Sequence, residues 1–121
     1  MGQLLGKAYI RVDGDTLRTE SGAKLDIGGV TRSAVNGSIG LLGFAEKTKE
    51  AMLECEVAVA RGDSLDKFRK ITNATVVFEC DTGQSYIIKN ACCQDPPVIT
   101  EGEGGKVPLK FFGDAAEEQV S

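Results

Sequence analysis

The chain has 121 residues, 41% hydrophobic and 26% charged, enough for one globular unit with a real core and too few for two comfortable domains. It contains no apolar run long enough for a membrane-spanning helix, so no membrane anchor is expected. A net charge of −4, with scattered lysines and arginines and acids collecting toward the C-terminal end, argues against a surface built to grip nucleic-acid phosphates.

The opening MGQLLGKAYIRVDG has one lysine and only Leu4-Leu5 as an apolar stretch before alternation begins, so neither a signal nor a transit peptide is expected. Gly6 stands where N-myristoylation asks for serine or threonine. From Lys7 to Asp13 the pattern has period two. Ala8, Ile10 and Val12 fall on one face and Lys7, Arg11 and Asp13 on the other, which predicts a half-buried strand. Asp13-Gly14-Asp15 supplies a turn, and Leu17 and Leu25-Asp26-Ile27 are strand-like pieces separated by a second turn at Ser21-Gly22.

The next stretch, GGVTRSAVNGSIGLLGFAEK from Gly28 to Lys47, has five glycines, no proline and an apolar knot at Ile39–Leu42. It reads as a long loop over residues 28–50, a length that is uncommon in a compact domain unless the loop is functional. Met52 to Val59 then alternates cleanly, with Leu53, Cys55, Val57 and Val59 on one side and Glu54 and Glu56 on the other. At Arg61-Gly62-Asp63-Ser64 the period changes. Asp63 or Ser64 can cap a short helix over about residues 64–72, with Leu65, Phe68 and Ile71 as its apolar stripe and Asn73 at its end. Arg61-Gly62-Asp63 is also an adhesion tripeptide, but a strand-to-helix corner needs a glycine and a cap in any case.

Thr75–Cys80 and Ser85–Asn90 flank Asp81-Thr82-Gly83-Gln84 in a strong hairpin pattern. Pro96-Pro97 breaks the chain, Glu101-Gly102-Glu103-Gly104-Gly105 reads as a flexible turn, and Val107, Leu109 and Phe111 mark a last strand. Residues 114–121 read as a flexible acidic tail. Together the elements predict one mainly β domain over 1–121, with some α. Its expected form is two packed antiparallel sheets, a sandwich or small barrel, with one short flanking helix and one long loop.

The reactive side chains are few. Cys55 and Cys80 fall at apolar strand positions and read as reduced, small hydrophobes, while adjacent Cys92 and Cys93 point to opposite faces of a strand. Without histidine or a CxxC pair, zinc is not expected, and the usual general base is missing. Glu54 and Glu56 share a face, yet no aromatic wall stands by to raise a carboxyl pKa, so they read as a solvated face. Gly37-Ser38-Ile39-Gly40-Leu41-Leu42-Gly43 lacks the lysine of a phosphate loop, and seven aromatics without tryptophan make a poor stacking platform for single strands. An interaction protein remains: open sheet edges must be covered, charged or paired with neighbours, and paired edges give rings.

The segments MGQLLGKAYIRVDG, GAKLDIGGVTR, GFAEKTKEAMLECEVAVARGDSLDKF, ITNATVVFECDTGQSYIIKNAC and EGEGGKVPLKFFG, in this order and spacing, resemble the tail tube proteins of Mu-like contractile-tailed bacteriophages. The resemblance runs from about Gly2 to Gly113. It implies an Hcp-like fold and a structural virion protein of the phage tail, without catalytic, metal-binding or cofactor-binding residues, whose hexameric rings stack into a tube inside a contractile sheath. It also implies contacts with sheath, baseplate or initiator and tape-measure proteins, and assembly in the host bacterial cytoplasm. The genomic DNA would pass through the lumen without specific binding. By position the family's inter-subunit loop is residues 28–50, with Val30, Arg32, Ile39, Leu41, Leu42, Phe44 and Lys47 as contact residues. A lumen for a polyanion favours mild acidic repulsion, and Glu54, Glu56 and Glu79 are the candidate lumen-lining acids, with an outer position under the sheath as the alternative. Two rival readings stand beside this one: a tube protein of a tailocin or secretion-type injection system, and a monomeric soluble β-domain that binds a small ligand.

Overall fold

The alternating apolar residues of the first predicted strand form β1, Ala8–Val12, with Ile10 and Val12 buried, in a computed structural model that describes residues 2–59, 64–102 and 105–120. A turn with Asp13 and Gly14 at positive φ leads to the two-residue β2, Asp15–Thr16. β3 is Lys24–Asp26, β4 is Gly29–Gly37, β5 is Gly40–Lys49 and β6 is Ala51–Ala58. β7, Ala74–Cys80, and β8, Gln84–Cys93, make the predicted hairpin, turned at Gly83, which takes φ 101°. β9, Lys106–Gly113, and β10, Glu117–Val120, complete the described strands.

The strands run β2-β1-β7-β8-β9-β6-β3 in one antiparallel hydrogen-bonded path, with β10 added to β8. The sequence predicts two packed sheets, and continuity arises because β8 serves both halves. Its first residues pair with β7 and β10, and its last two, Cys92 and Cys93, pair with Phe112 and Phe111 of β9. A register shift between Ala74 and Val76, and Asn90 at φ 55°, mark the bend where β8 passes from one half to the other. The inward residues of both halves enter a single cluster in which Ile10, Leu53, Val76, Ile88, Val107 and Phe111 are wholly buried. The segment between β2 and β3 crosses between the halves: Leu17 N–H donates to Ile10 C=O at 2.8 Å, and Thr19 bridges to Val57. The named strands do not close into a barrel.

Three sequence expectations are altered. The helix, α1, spans only Asp66–Arg69; the N–H of Ile71 donates to the C=O of Phe68, tightening the last turn before β7. Phe68 is buried and Leu65 and Ile71 pack partly against the core, so the apolar stripe survives in a shorter element. The Asp63 cap and the Arg61-Gly62-Asp63 motif lie outside the described residues. The expected flexible tail forms β10, with Glu117 opposite Ile87 and Tyr86 Oη donating to Glu118 at 2.7 Å. The expected long loop is not a loop. It is a separate two-stranded sheet, β4–β5.

Candidate assembly surface

The β4–β5 hairpin is built from its root. Asp26 ends β3, and its Oδ1 accepts the N–H of Gly28 at 3.0 Å while its Oδ2 pairs with the Lys49 ammonium at the end of β5. The Lys49 hydrogen bond, then that of Gly28, holds the Asp26 carboxyl below its usual pKa, and Asp26 raises that of Lys49. Gly28 itself sits at φ 71°, and a Cβ there would lie 2.7 Å from the Ala51 N and from the Glu50 carbonyl. Only glycine lets the outgoing and returning strands leave the sheet so close together.

Beyond the root the register runs from Gly29↔Lys49 to Gly37↔Gly40, with one shift at Val35/Asn36. Opposite pairs share a face, which puts Val30, Arg32 and Phe44 on one side and Lys47 on the other. Arg32 lies 3.9 Å from Glu46 and 6.0 Å from the centre of the Phe44 ring. Ser38 and Ile39 cap the hairpin, and Leu42 packs over Gly37. Ile39 is 100% exposed, and Leu41, Leu42 and Phe44 are each more than 60% exposed. From Ser33 to Ala45 there is no charged residue. Neither strand pairs with the main sheet, so among the described residues this apolar span has no cover. The sequence reading found the apolar knot but missed its frame. Asp26 and Gly28 act at the root, and their signal is an acid two residues ahead of paired glycines.

The three acids separate. Glu54 and Glu56 share the exposed face of β6, where Lys24 and Lys110 stand opposite Glu54 and the Lys110 Nζ lies 4.0 Å from it. Glu79 belongs to the other half, on β7, and pairs with Arg11 at 3.2 Å. The outward face of β3, β6 and β9 therefore carries both signs, with Lys24, Lys106 and Lys110 beside Asp26, Glu54 and Glu56. Burial holds the Cys55 thiol up to about 12, and the described cysteines are all free. Among the described residues no buried side chain is polar or charged, and no cluster of His, Cys, Asp or Glu could hold a metal.

The site is thus an open antiparallel sheet carrying a separate hairpin whose outer half, Ser33 to Ala45, is uncharged. The fold matches the cap of the anti-feeding prophage tube with a TM-score of 0.71 at 9% identity, covering 94% of this chain and 88% of that one. It matches the sheath/tube terminator of the PVC extracellular contractile injection system with a TM-score of 0.69 at 10% identity, covering 94% of each chain. In sequence the chain is 37% identical over 109 residues to the Mu-like prophage FluMu tail tube protein of Haemophilus influenzae, covering 90% of each. It is 35% identical over 107 residues to the tail tube protein of Escherichia phage Mu, covering 88% of this chain and 87% of that one. The family model for phage tail tube proteins matches residues 1–118, and the chain belongs to that family.

Proposed function

We propose that this protein forms hexameric rings that stack into the inner tube of a contractile phage tail, a conduit through which the genome leaves for the host. One observation carries the reading: the β4–β5 hairpin exposes Ile39, Leu41, Leu42 and Phe44 and has nothing among the described residues of its own protomer to bury them against. Apolar surface of that kind is stabilised only when a neighbour covers it. In the assembled tube the two halves of the sheet act as two layers, one toward the lumen and one toward the sheath. Glu54 and Glu56 fall on one layer and Glu79 on the other, so one of these sets faces the bore. Baseplate or initiator and tape-measure proteins set where the tube starts and stops. The protein resides in the virion tail after assembly in the host cytoplasm.

Likeness to injection-system components favours a second reading, a tailocin or secretion-type tube, but it rests on 8–10% identity, whereas the phage relatives stand at 35–37%. Negative-stain electron microscopy of the concentrated protein tests the proposal. Rings of six and hollow tubes are expected. A protein that stays monomeric at every concentration and salt, even beside a sheath or initiator, overturns it.

A further inference from the structure

Two open recesses of about 440 and 470 Å³ adjoin along the N-terminal segment, the first against residues 17–23 and the second between β3 and the β7–β8 hairpin. They share Leu5, Ala23 and Phe78. The larger is walled by Leu5, Leu25, Ile27, Phe78 and Tyr86, and none of its lining residues is charged, in a chain where 26% of residues are. The N-terminal strap on its rim is tied down: the N–H of Lys7 donates to Asp81 Oδ2 at 3.0 Å, and the N–H of Asp81 donates to Lys7 C=O at 3.0 Å. Ile27, half-exposed in this wall, stands two residues before β4, so the groove adjoins the root of the hairpin.

The tip lies far from that groove. Nine residues of β4 span about 30 Å at the usual rise of a strand, so a regular hairpin carries its own tip away from its own groove. Tip and groove nevertheless match in chemistry. Both lack charge and present mainly apolar side chains, with Gln3, Thr82 and Gln84 the polar ones in the groove, and a charged insert would be stripped of water there without a partner. We infer that the groove beside Leu25, Ile27 and Phe78 is the seat for the Ile39–Leu42 tip of a second copy's hairpin. The inference rests on the tube reading above and adds the receiving surface to it. A knob at one end and its seat at the other make a head-to-tail contact, which propagates along the hairpin direction instead of closing on itself.

Thiol cross-linking in assembled tubes tests this. In a Cys80→Ala background, which removes the native thiol from the groove wall, Ile27→Cys combined with Ile39→Cys is treated with a short bismaleimide. A ladder of covalent multimers on a denaturing gel is expected from the pair and none from either single variant. Tubes without a ladder overturn the groove assignment and leave the tube reading standing; a wild-type protein that never forms rings or tubes overturns both. Hydrogen exchange on the unmodified protein gives a second readout independent of the substitutions. Amides of residues 23–27 and 38–43 gain protection together on assembly, and protection of one segment without the other overturns the seat.

Discussion

The Arg32 guanidinium lies over the Phe44 ring, 6.0 Å from its centre, across the β4–β5 ladder, with the Glu46 carboxylate 3.9 Å away. The arginine and glutamate side chains are 62% and 49% exposed, so water and salt screen the group. An exposed cation–π contact is worth about 0.5–1 kcal/mol. Its larger effect is geometric: the register puts Phe44 on the same face as Arg32, and Arg32, paired with Glu46, lies over its ring.

Removing that hold should separate folding from assembly. Arg32→Ala and Phe44→Ala should each change the protomer's unfolding free energy by no more than about 1 kcal/mol. Phe44→Ala should also sharply reduce tube yield at fixed concentration, measured by sedimentation. Unfolding of the protomer by either change would mean that the hairpin belongs to the core.

Gly28 gives the opposite outcome. Alanine there must take φ 71° and place a Cβ 2.7 Å from the Ala51 N. A cost of about 1–3 kcal/mol is expected from the backbone conformation alone, with more from the clash. Urea unfolding of Gly28→Ala should show a clear fall in midpoint, and an unchanged midpoint would contradict the root geometry.

Apolar residues should divide by position. Leu53→Ala, at a wholly buried site, should lose about 2–5 kcal/mol. Leu42→Ala, with its side chain largely in solvent, should stay within about 0.5 kcal/mol in the protomer. Thermal unfolding of the two variants side by side measures the contrast.

The Cys55 thiol makes stability pH-dependent at the alkaline end. Burial raises it from an ordinary 9.0 to about 12, so below pH 9 it is protonated in both folded and unfolded chains and exerts no effect. Between pH 9 and about 12 the unfolded chain loses this proton first, and its share of stability falls by about 1.4 kcal/mol per pH unit. Cys55→Val should flatten the decline by that amount in chemical denaturation followed against pH. In the native protein a thiol reagent at pH 8 should leave Cys55 unmodified until the chain unfolds.

Period-two alternation makes β1, β6 and β9 legible, because one face of each packs on a single core and the other meets solvent, while β7 and β8 are legible as β-rich runs on either side of the Asp81–Gln84 turn. Ile10, Leu53 and Leu109 are buried where alternation places them. The β4–β5 hairpin is not legible for the same reason. Nearly all of β4 and β5 is exposed on both faces, so no burial imprints a period, and glycines at 29, 37, 40 and 43 read as breaks. β10 was hidden because its charges suit an exposed edge as well as a loose tail. The groove joins Leu5, Leu25 and Phe78 from distant parts of the chain, and no local pattern announces such a meeting.

The way β8 is shared between the two halves bears on mechanics. Where β8 meets β9, Cys92 pairs with Phe112 and Cys93 with Phe111, flanked by the bonds from Gln94 N–H to Lys110 C=O and from Asp114 N–H to Lys89 C=O, whereas β6 and β9 pair along their whole lengths. A load that spreads the halves apart therefore falls on this short ladder, on the segment around Leu17 and Thr19 that crosses between the halves, and on the shared apolar core. Yielding should begin along this seam, at Cys92 and Cys93, so the protomer has one line about which its halves can flex.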